Sequence, residues 1–334
     1  MKRIIAAVIA GTLLVFGIFF SIFTNLWASD FQETFDQFAG GDFPPAQVVE
    51  QGDPGSKIAM INIEGTIIDT GSEPGMFSPD QYNHQLVIES LKQIIEDDTV
   101  QAVLLNVDSP GGGVYESAEV HKYLTEAKEA GKIIYSSMGG MAASGGYYVS
   151  APADQIFASN ETMTGSIGVI MQSLNFEQLA EDLGVEFNTY TSGDMKEMLS
   201  ATREPTEEET EYVQGMVDSM FDDFVQVVAD GRGMSEDEVR DIADGRIYLG
   251  EDALDNGLVD QIGYIEDATA ALKEEIGGNP QIIEYGYATN FAGINLNYGL
   301  GSLIGDITGR NDIARMENLI NNRQGLQPMY LYER

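Results

Sequence analysis

Cysteine is absent from the 334 residues, tryptophan occurs once and histidine twice. Without cysteine there are no disulfides, no thiolate nucleophile and no cysteine-ligated zinc or iron–sulfur site. The two histidines, His84 and His121, both sit in stretches of helical spacing and fit ordinary helix positions better than a catalytic base. There is no H-E-x-x-H, no Walker loop with Gly-Lys-Ser/Thr and no G-x-G-x-x-G after a strand. Positive charge is scarce as well: 17 Lys and Arg stand against 54 Asp and Glu, a formal net charge of −37. Nucleic-acid binders carry a basic footprint, so no nucleic acid is expected as a partner, and an anionic bilayer surface repels such a chain. The acidity fits a solubilising surface suited to a salty or alkaline exterior.

What is present is a globular composition, 43% hydrophobic. The N-terminus places Lys2 and Arg3 before an uncharged, mostly apolar stretch from Ile4 to Ser29. A span of about 20 apolar residues crosses a bilayer, whereas a secretory core usually has about 7–15. "NLWASD" is also a poor cleavage site, so the stretch reads as a retained single-pass anchor in the cell membrane. Its basic flank is expected in the cytoplasm and everything from Asp30 onward outside. The expected organisation is therefore a cytoplasmic stub and anchor (1–29), a linker (30–56), a folded domain (57–287) and a flexible, Gly- and Asn-rich C-terminal segment (288–334).

Within the domain, strand-like runs at 57–68, 100–108 and 132–137 alternate with helical spacing at 84–97 and 115–130. This β-α-β-α-β rhythm implies an α/β fold with a largely parallel sheet, in which ligands sit beyond the carboxyl ends of the strands. Farther on, "TREPTEEETEYVQGMVDSMFDDFVQVVADGRG" (202–233) reads as a long helix with a capping box at Thr206 and Glu209. Ser235 and Glu238 repeat the device.

Four segments carry candidate chemistry. In "GGMAASGGYYVSAP" (139–152) Ser144 is surrounded by Gly and Ala, but without the G-x-S-x-G spacing of a nucleophile elbow. With so little histidine, the remaining way to activate a serine is a lysine base. The chain has eight lysines, and only Lys196 lies between Lys132 and Lys273, in "YTSGDMKEMLS" after the strand-like "VEFNTY". As a base it must fall from a reference pKa of about 10.4, so the flanking Asp194 and Glu197 must face elsewhere. A solvated loop lysine is the other reading. "NVDSPGGGVYES" (106–117) offers bare amides for an oxyanion hole, or is simply a tight turn. Ser166 in "TMTGSIGVIM" (162–171) either orients an amine or satisfies a turn.

Together and in this order, "DSPGGGVYESAE", "MGGMAASGGYYVS", "TGSIGVI" and "SGDMKEMLS" resemble the signal peptide peptidase A family. These are membrane-anchored serine peptidases of the Clp protease/crotonase superfamily. The resemblance runs from about residue 57 to 275, and "ADGRIYLGEDALDNGLVDQIG" (243–263) fits it too. It implies a superhelix of repeated β-β-α units, with Ser144 as nucleophile, Lys196 as general base and Ser166 holding the lysine amine. The amides of Gly112 and Gly145 would form the oxyanion hole. No metal or cofactor is implied. The implied substrates are cleaved signal peptides and other apolar peptides, and the implied assembly is a homo-oligomeric ring whose dyad is completed across subunits. The closing "PMYLYER" is apolar enough to resemble a substrate, so Met329, Tyr330, Leu331 and Tyr332 are candidates for self-binding; packing against a neighbour is the other reading. Two rivals from other classes are an acyl-CoA enzyme of the same superfamily and a non-catalytic membrane scaffold of the same fold.

Overall fold

The computed structural model describes residues 46–70, 82–285, 290–291, 294–295 and 329–331. The expected anchor, residues 4–29, lies outside the described residues. Among the described residues no helix is long and apolar enough to cross a membrane.

The Ile-, Val- and Leu-rich runs form the middle of the sheet as β2 (Asp53–Glu64), β3 (Val100–Ser109) and β5 (Ile133–Ala143). They pair in parallel, and the connections between them are α1 (His84–Glu96) and α2 (Val114–Glu129). Outside them, β6 (Gln155–Ala158) and β9 (Gln261–Ile262) extend the parallel array on one side, and β10 (Pro280–Tyr285) extends it on the other. Only β1 (Ala46–Glu50) closes that edge antiparallel, against β10. The result is a mixed α/β fold with a largely parallel sheet, as the alternating pattern implies. The linker expected up to residue 56 gives way to strand at Ala46; the five residues of β1 are all exposed and so lack the apolar signature of a strand.

Alternating side chains feed two cores. On one face Ile61, Ile63, Val103, Leu105 and Val107 pack with α1, α2, the short α3 (Gly145–Ser150) and the long α5 (Glu207–Arg232). On the other, Ile58, Ala102, Leu104, Tyr135 and Phe157 meet Ala268 and Leu272 of α8 (Ile265–Ile276). Three shorter helices complete the set: α4 (Glu177–Asp182), α6 (Glu236–Ile242) and α7 (Gly250–Asp255). Both expected capping boxes are present, Thr206 with Glu209 at the start of α5 and Ser235 with Glu238 at the start of α6. "VEFNTY" is not a strand: Val185–Tyr190 runs irregularly and pairs with nothing in the sheet.

The feature that positions the site is a change of partner along β5. Tyr135–Met138 pair with β6, whereas Met141–Ala143 pair with β7 (Met163–Gly165), which in turn pairs antiparallel with β8 (Ile247–Leu249). Between the two halves lie Gly139 and Gly140. The register with β3 jumps here, from Val107 opposite Met138 to Ser109 opposite Ala142. Asp108 fills the irregularity by accepting the Met141 amide at 2.9 Å. Thr162 and Thr164 then pin the diverted strand, donating to the carbonyls of Gly139 (2.8 Å) and Ala142 (2.7 Å).

Because Leu272 is fully buried in the core between α8 and the sheet, Leu272→Ala should lower stability by about 2–5 kcal/mol. Urea unfolding followed by circular dichroism checks this; a loss under about 1 kcal/mol means the helix is not held as described.

Candidate active site

Ser144 stands at the end of the diverted strand. Its amide donates to the Gly165 carbonyl at 2.8 Å, which fixes it beside Ser166, the next residue along the neighbouring strand. Both serines are buried and both have left-handed backbones, with φ of 53° and 49°. The third non-glycine residue with positive φ among those described is Leu199 at 65°, three residues after Lys196. Each such residue costs on the order of 1–3 kcal/mol, and strain of this kind collects at functional sites. Here it falls on three of the four segments singled out from sequence.

The fourth segment supplies bare backbone. β4 (Gly111–Gly113) runs beside Ile67, whose amide donates to the Gly111 carbonyl (2.9 Å) and whose carbonyl accepts from Gly113 (2.8 Å). Strand alternation therefore turns the N–H and C=O of Gly112 to the opposite side. On that side lies β13 (Met329–Leu331), antiparallel, with Tyr330 opposite Gly112 and Leu331 opposite Gly111. Met329 exchanges two hydrogen bonds with Ile170, each 3.1 Å, so the segment lies as a strand between two rims. The C-terminal segment expected to be flexible is thus held at these three residues, whereas Tyr332 lies outside those described. Two further short strands, β11 (Asn290–Phe291) and β12 (Ile294–Asn295), pair with each other.

The glycines are required by this approach. A Cβ on Gly111 would lie 2.0 Å from the Tyr330 carbonyl oxygen and 2.6 Å from the Gly145 amide nitrogen, and one on Gly112 would lie 2.0 Å from the Ile67 carbonyl oxygen. The same geometry places the Tyr330 carbonyl beside the Gly145 amide, next to Ser144. Gly145 is itself crowded: its Cβ would meet Ser117 Oγ at 2.6 Å. That hydroxyl is fully buried and has no hydrogen-bond partner among the described residues.

Lys196 is not hydrogen-bonded into this cluster. It lies exposed on a short 3-10 turn, Asp194–Glu197, and makes no hydrogen bond or ion pair with Ser144 or Ser166. Its neighbour Glu197 is turned away from it. The carboxylate accepts from Arg203 Nε at 3.1 Å, and hydrogen bonds from Thr189, Arg203 and Ser200 hold it below the usual carboxylate range. Arg203 also grips Glu209, the buried capping residue of α5, whose carboxyl is lowered to about 2, chiefly by that guanidinium. Asp108 and Arg203 are the positioning residues the sequence reading missed; an Asp just before Ser-Pro-Gly-Gly-Gly was the available sign of the first.

Neither histidine touches Ser144. His84 is buried between Tyr82 (2.8 Å) and Glu119 (2.9 Å), and His121 lies edge-on to Tyr148 with burial pushing its imidazole down to about 4. Among the described residues no cluster of His, Asp and Glu could hold a metal.

Comparison with known proteins bears on this arrangement. Residues 126–278 match the family described as Peptidase family S49. A protein of Enterococcus faecium with the provisional name signal peptide peptidase SppA is 48% identical over 262 residues, covering 77% of this chain and 76% of its own. A provisionally named protease of Methanocaldococcus jannaschii is 39% identical over 76% of this chain and 83% of its own, and one of Synechocystis is 37% identical over 68% and 77%. The protein is a serine peptidase. It belongs to peptidase family S49.

Gly145→Ala drives a methyl group into the Ser117 hydroxyl and displaces the amide next to Ser144. Hydrolysis of an apolar fluorogenic peptide should fall by about 100-fold while circular dichroism stays unchanged. Adding Ser117→Ala relieves the nearest contact and should recover part of the loss; no recovery would mean the crowding is elsewhere.

Proposed function

We propose that the protein is a membrane-tethered serine endopeptidase that cleaves signal-peptide remnants and other apolar peptides at the outer face of the cell membrane. The observation that carries this reading is the strand Met329–Leu331 lying along the bare amides of β4 beside Ser144. A groove that holds one extended peptide by its backbone suits others. Family relatives bearing the signal peptide peptidase name support the substrate class.

In the proposed mechanism Ser144 Oγ attacks the peptide carbonyl while the neutral amine of Lys196 takes its proton. Ser166 orients that amine. The amides of Gly112 and Gly145 receive the developing oxyanion. Lys196 then gives the proton to the leaving amine, and water hydrolyses the acyl-enzyme by the same route in reverse. The protein as a whole is read as a Clp/crotonase-like superhelix of β-β-α units, held at the membrane by residues 4–29.

Since Lys196 makes no hydrogen bond with Ser144 within one chain, the dyad is assigned to two neighbouring subunits of a homo-oligomeric ring. Support comes from the exposed apolar side chains on the segment that leads to Lys196: Leu174, Leu179, Leu183, Val185, Phe187 and Tyr190. A second copy is the natural cover for that face.

A complementation assay tests the arrangement. Peptide hydrolysis should rise with pH and vanish in Ser144→Ala and in Lys196→Ala. Mixed oligomers of the two inactive forms should regain about a quarter of the parent activity, because random assembly pairs an intact serine with an intact neighbouring lysine at that frequency. No regain would place the dyad within one chain, and hydrolysis surviving Lys196→Ala would identify a different base. An inactive parent that nevertheless folds and assembles would favour the scaffold.

The tail is read as a self-inhibitory occupant of the groove. Deleting residues 328–334 should raise the rate of hydrolysis of a peptide substrate; unchanged kinetics would mean that the segment does not compete.

A further inference from the structure

Among the described residues, one fully buried side-chain polar atom has no hydrogen-bond partner, the hydroxyl of Ser117. A serine or threonine inside a helix commonly donates to the carbonyl four residues back. Ser90 does so to Leu86 (2.7 Å), Ser150 to Gly146 (2.8 Å) and, on the same helix as Ser117, Thr125 to His121 (3.0 Å). The equivalent acceptor for Ser117 is the Gly113 carbonyl, and the hydroxyl does not use it. A buried hydroxyl left unpaired lowers stability. Its place is nevertheless well defined: Oγ stands 2.6 Å from the point where a side chain on Gly145 would begin.

The other atoms crowding that point are the Cα of Gly111 and the amide nitrogen of Gly112, each at 3.1 Å. The start of α3 thus meets the bare backbone of β4 and a single side-chain atom of α2. The two amides assigned to the oxyanion are those of Gly112 and Gly145, so this contact bears on the spacing between them. Donors to an oxyanion act only when they are placed to within a fraction of an ångström. Gly145 has no side chain with which to hold its peptide plane, and it follows a residue with strained backbone, Ser144 at φ 53°.

We propose that Ser117 is a positioning residue for the oxyanion hole: its Oγ is a spacer set against Gly145, holding that amide at its working distance from the Gly112 amide. The hydroxyl serves by occupying space and not by donating, in keeping with its lack of a partner. Alanine at 117 is one atom short and leaves the Gly145 peptide room to retreat toward α2. The inference rests on the reading of the Gly112 and Gly145 amides as the oxyanion hole.

A double-mutant cycle with Gly145, in the full-length protein, tests the spacer. Ser117→Ala should lower kcat for an apolar fluorogenic peptide about tenfold and leave KM within about twofold, because the oxyanion forms only in the transition state. Its urea midpoint should equal or exceed that of the parent, since an unpaired hydroxyl has gone. Ser117→Cys restores an atom in that place with little hydrogen-bonding power, and should keep kcat within about threefold of the parent. Gly145→Ala with Ser117→Ala should be more active than Gly145→Ala alone, although each change is harmful singly, because the new methyl group takes the space that Oγ has left. Unchanged kcat in Ser117→Ala, with Gly145→Ala impaired, overturns the spacer and leaves the oxyanion reading standing. Ser117→Cys as slow as Ser117→Ala also overturns it, by making the hydroxyl a donor, and so does a cycle in which the two losses simply multiply. Full kcat in Gly145→Ala removes the oxyanion reading and the spacer with it.

Discussion

Backbone meets backbone at β4 without intervening side chains, and most of the site follows from that constraint. Ile67 occupies one side of the three glycines and Tyr330 the other, at distances that leave no room for a Cβ on Gly111 or Gly112. A strand so narrow has no side chains of its own with which to hold its place. It depends on what surrounds it: the hydrogen bonds with Ile67, the hydroxyl of Ser109 that accepts the Gly111 amide at 3.1 Å, and α2 starting immediately after Gly113. The groove is thus built by its neighbours, and its own residues contribute chiefly empty space and amides.

The second dependence is the diversion of β5. Parallel sheets place ligands at the carboxyl ends of their strands, but a straight β5 would carry Ser144 on in line with β6. By exchanging β6 for β7 after Gly140, the strand delivers Ser144 next to Ser166 and turns straight into α3. Three side chains from two different segments, Asp108, Thr162 and Thr164, stabilise the exchange through the strand's own amide and carbonyl groups. The strain at Ser144 and Ser166 is offset by these bonds and by the burial of Tyr147 and Val149 behind them.

Much of this was legible in sequence where a residue's role is set locally. The apolar runs of β2, β3 and β5 and the spacing of Thr206 with Glu209 and Ser235 with Glu238 announce themselves, because periodicity and capping act over a few residues. Where the partner is remote, the pattern misleads. "VEFNTY" has the residues of a strand but no adjacent strand to pair with, whereas "AQVVE" and "MYL" are strands because β10 and β4 offer them an edge. The second half of β5 was hidden for another reason: glycine and alanine carry no alternation to read. Ser144, Ser166 and the glycine run stood out as unusual composition, and the structure joins them. Lys196 stood out too, and within one chain it stays exposed on its turn with no hydrogen bond to either serine.

Arg203 has a consequence for how the Lys196 segment responds to ionic strength. The chain's net charge of −37 creates a broad negative potential, which is screened over about 10 Å at 0.1 M salt. Contact pairs such as Arg203 with Glu197, at 3.1 Å, are too close for mobile ions to enter. Added salt therefore weakens the diffuse field of the distant carboxylates while the pairing of Glu197 with Arg203 persists. In an acid-rich protein with few cations, this single guanidinium keeps one of the two carboxylates flanking Lys196 paired while the rest of the surface responds to added salt.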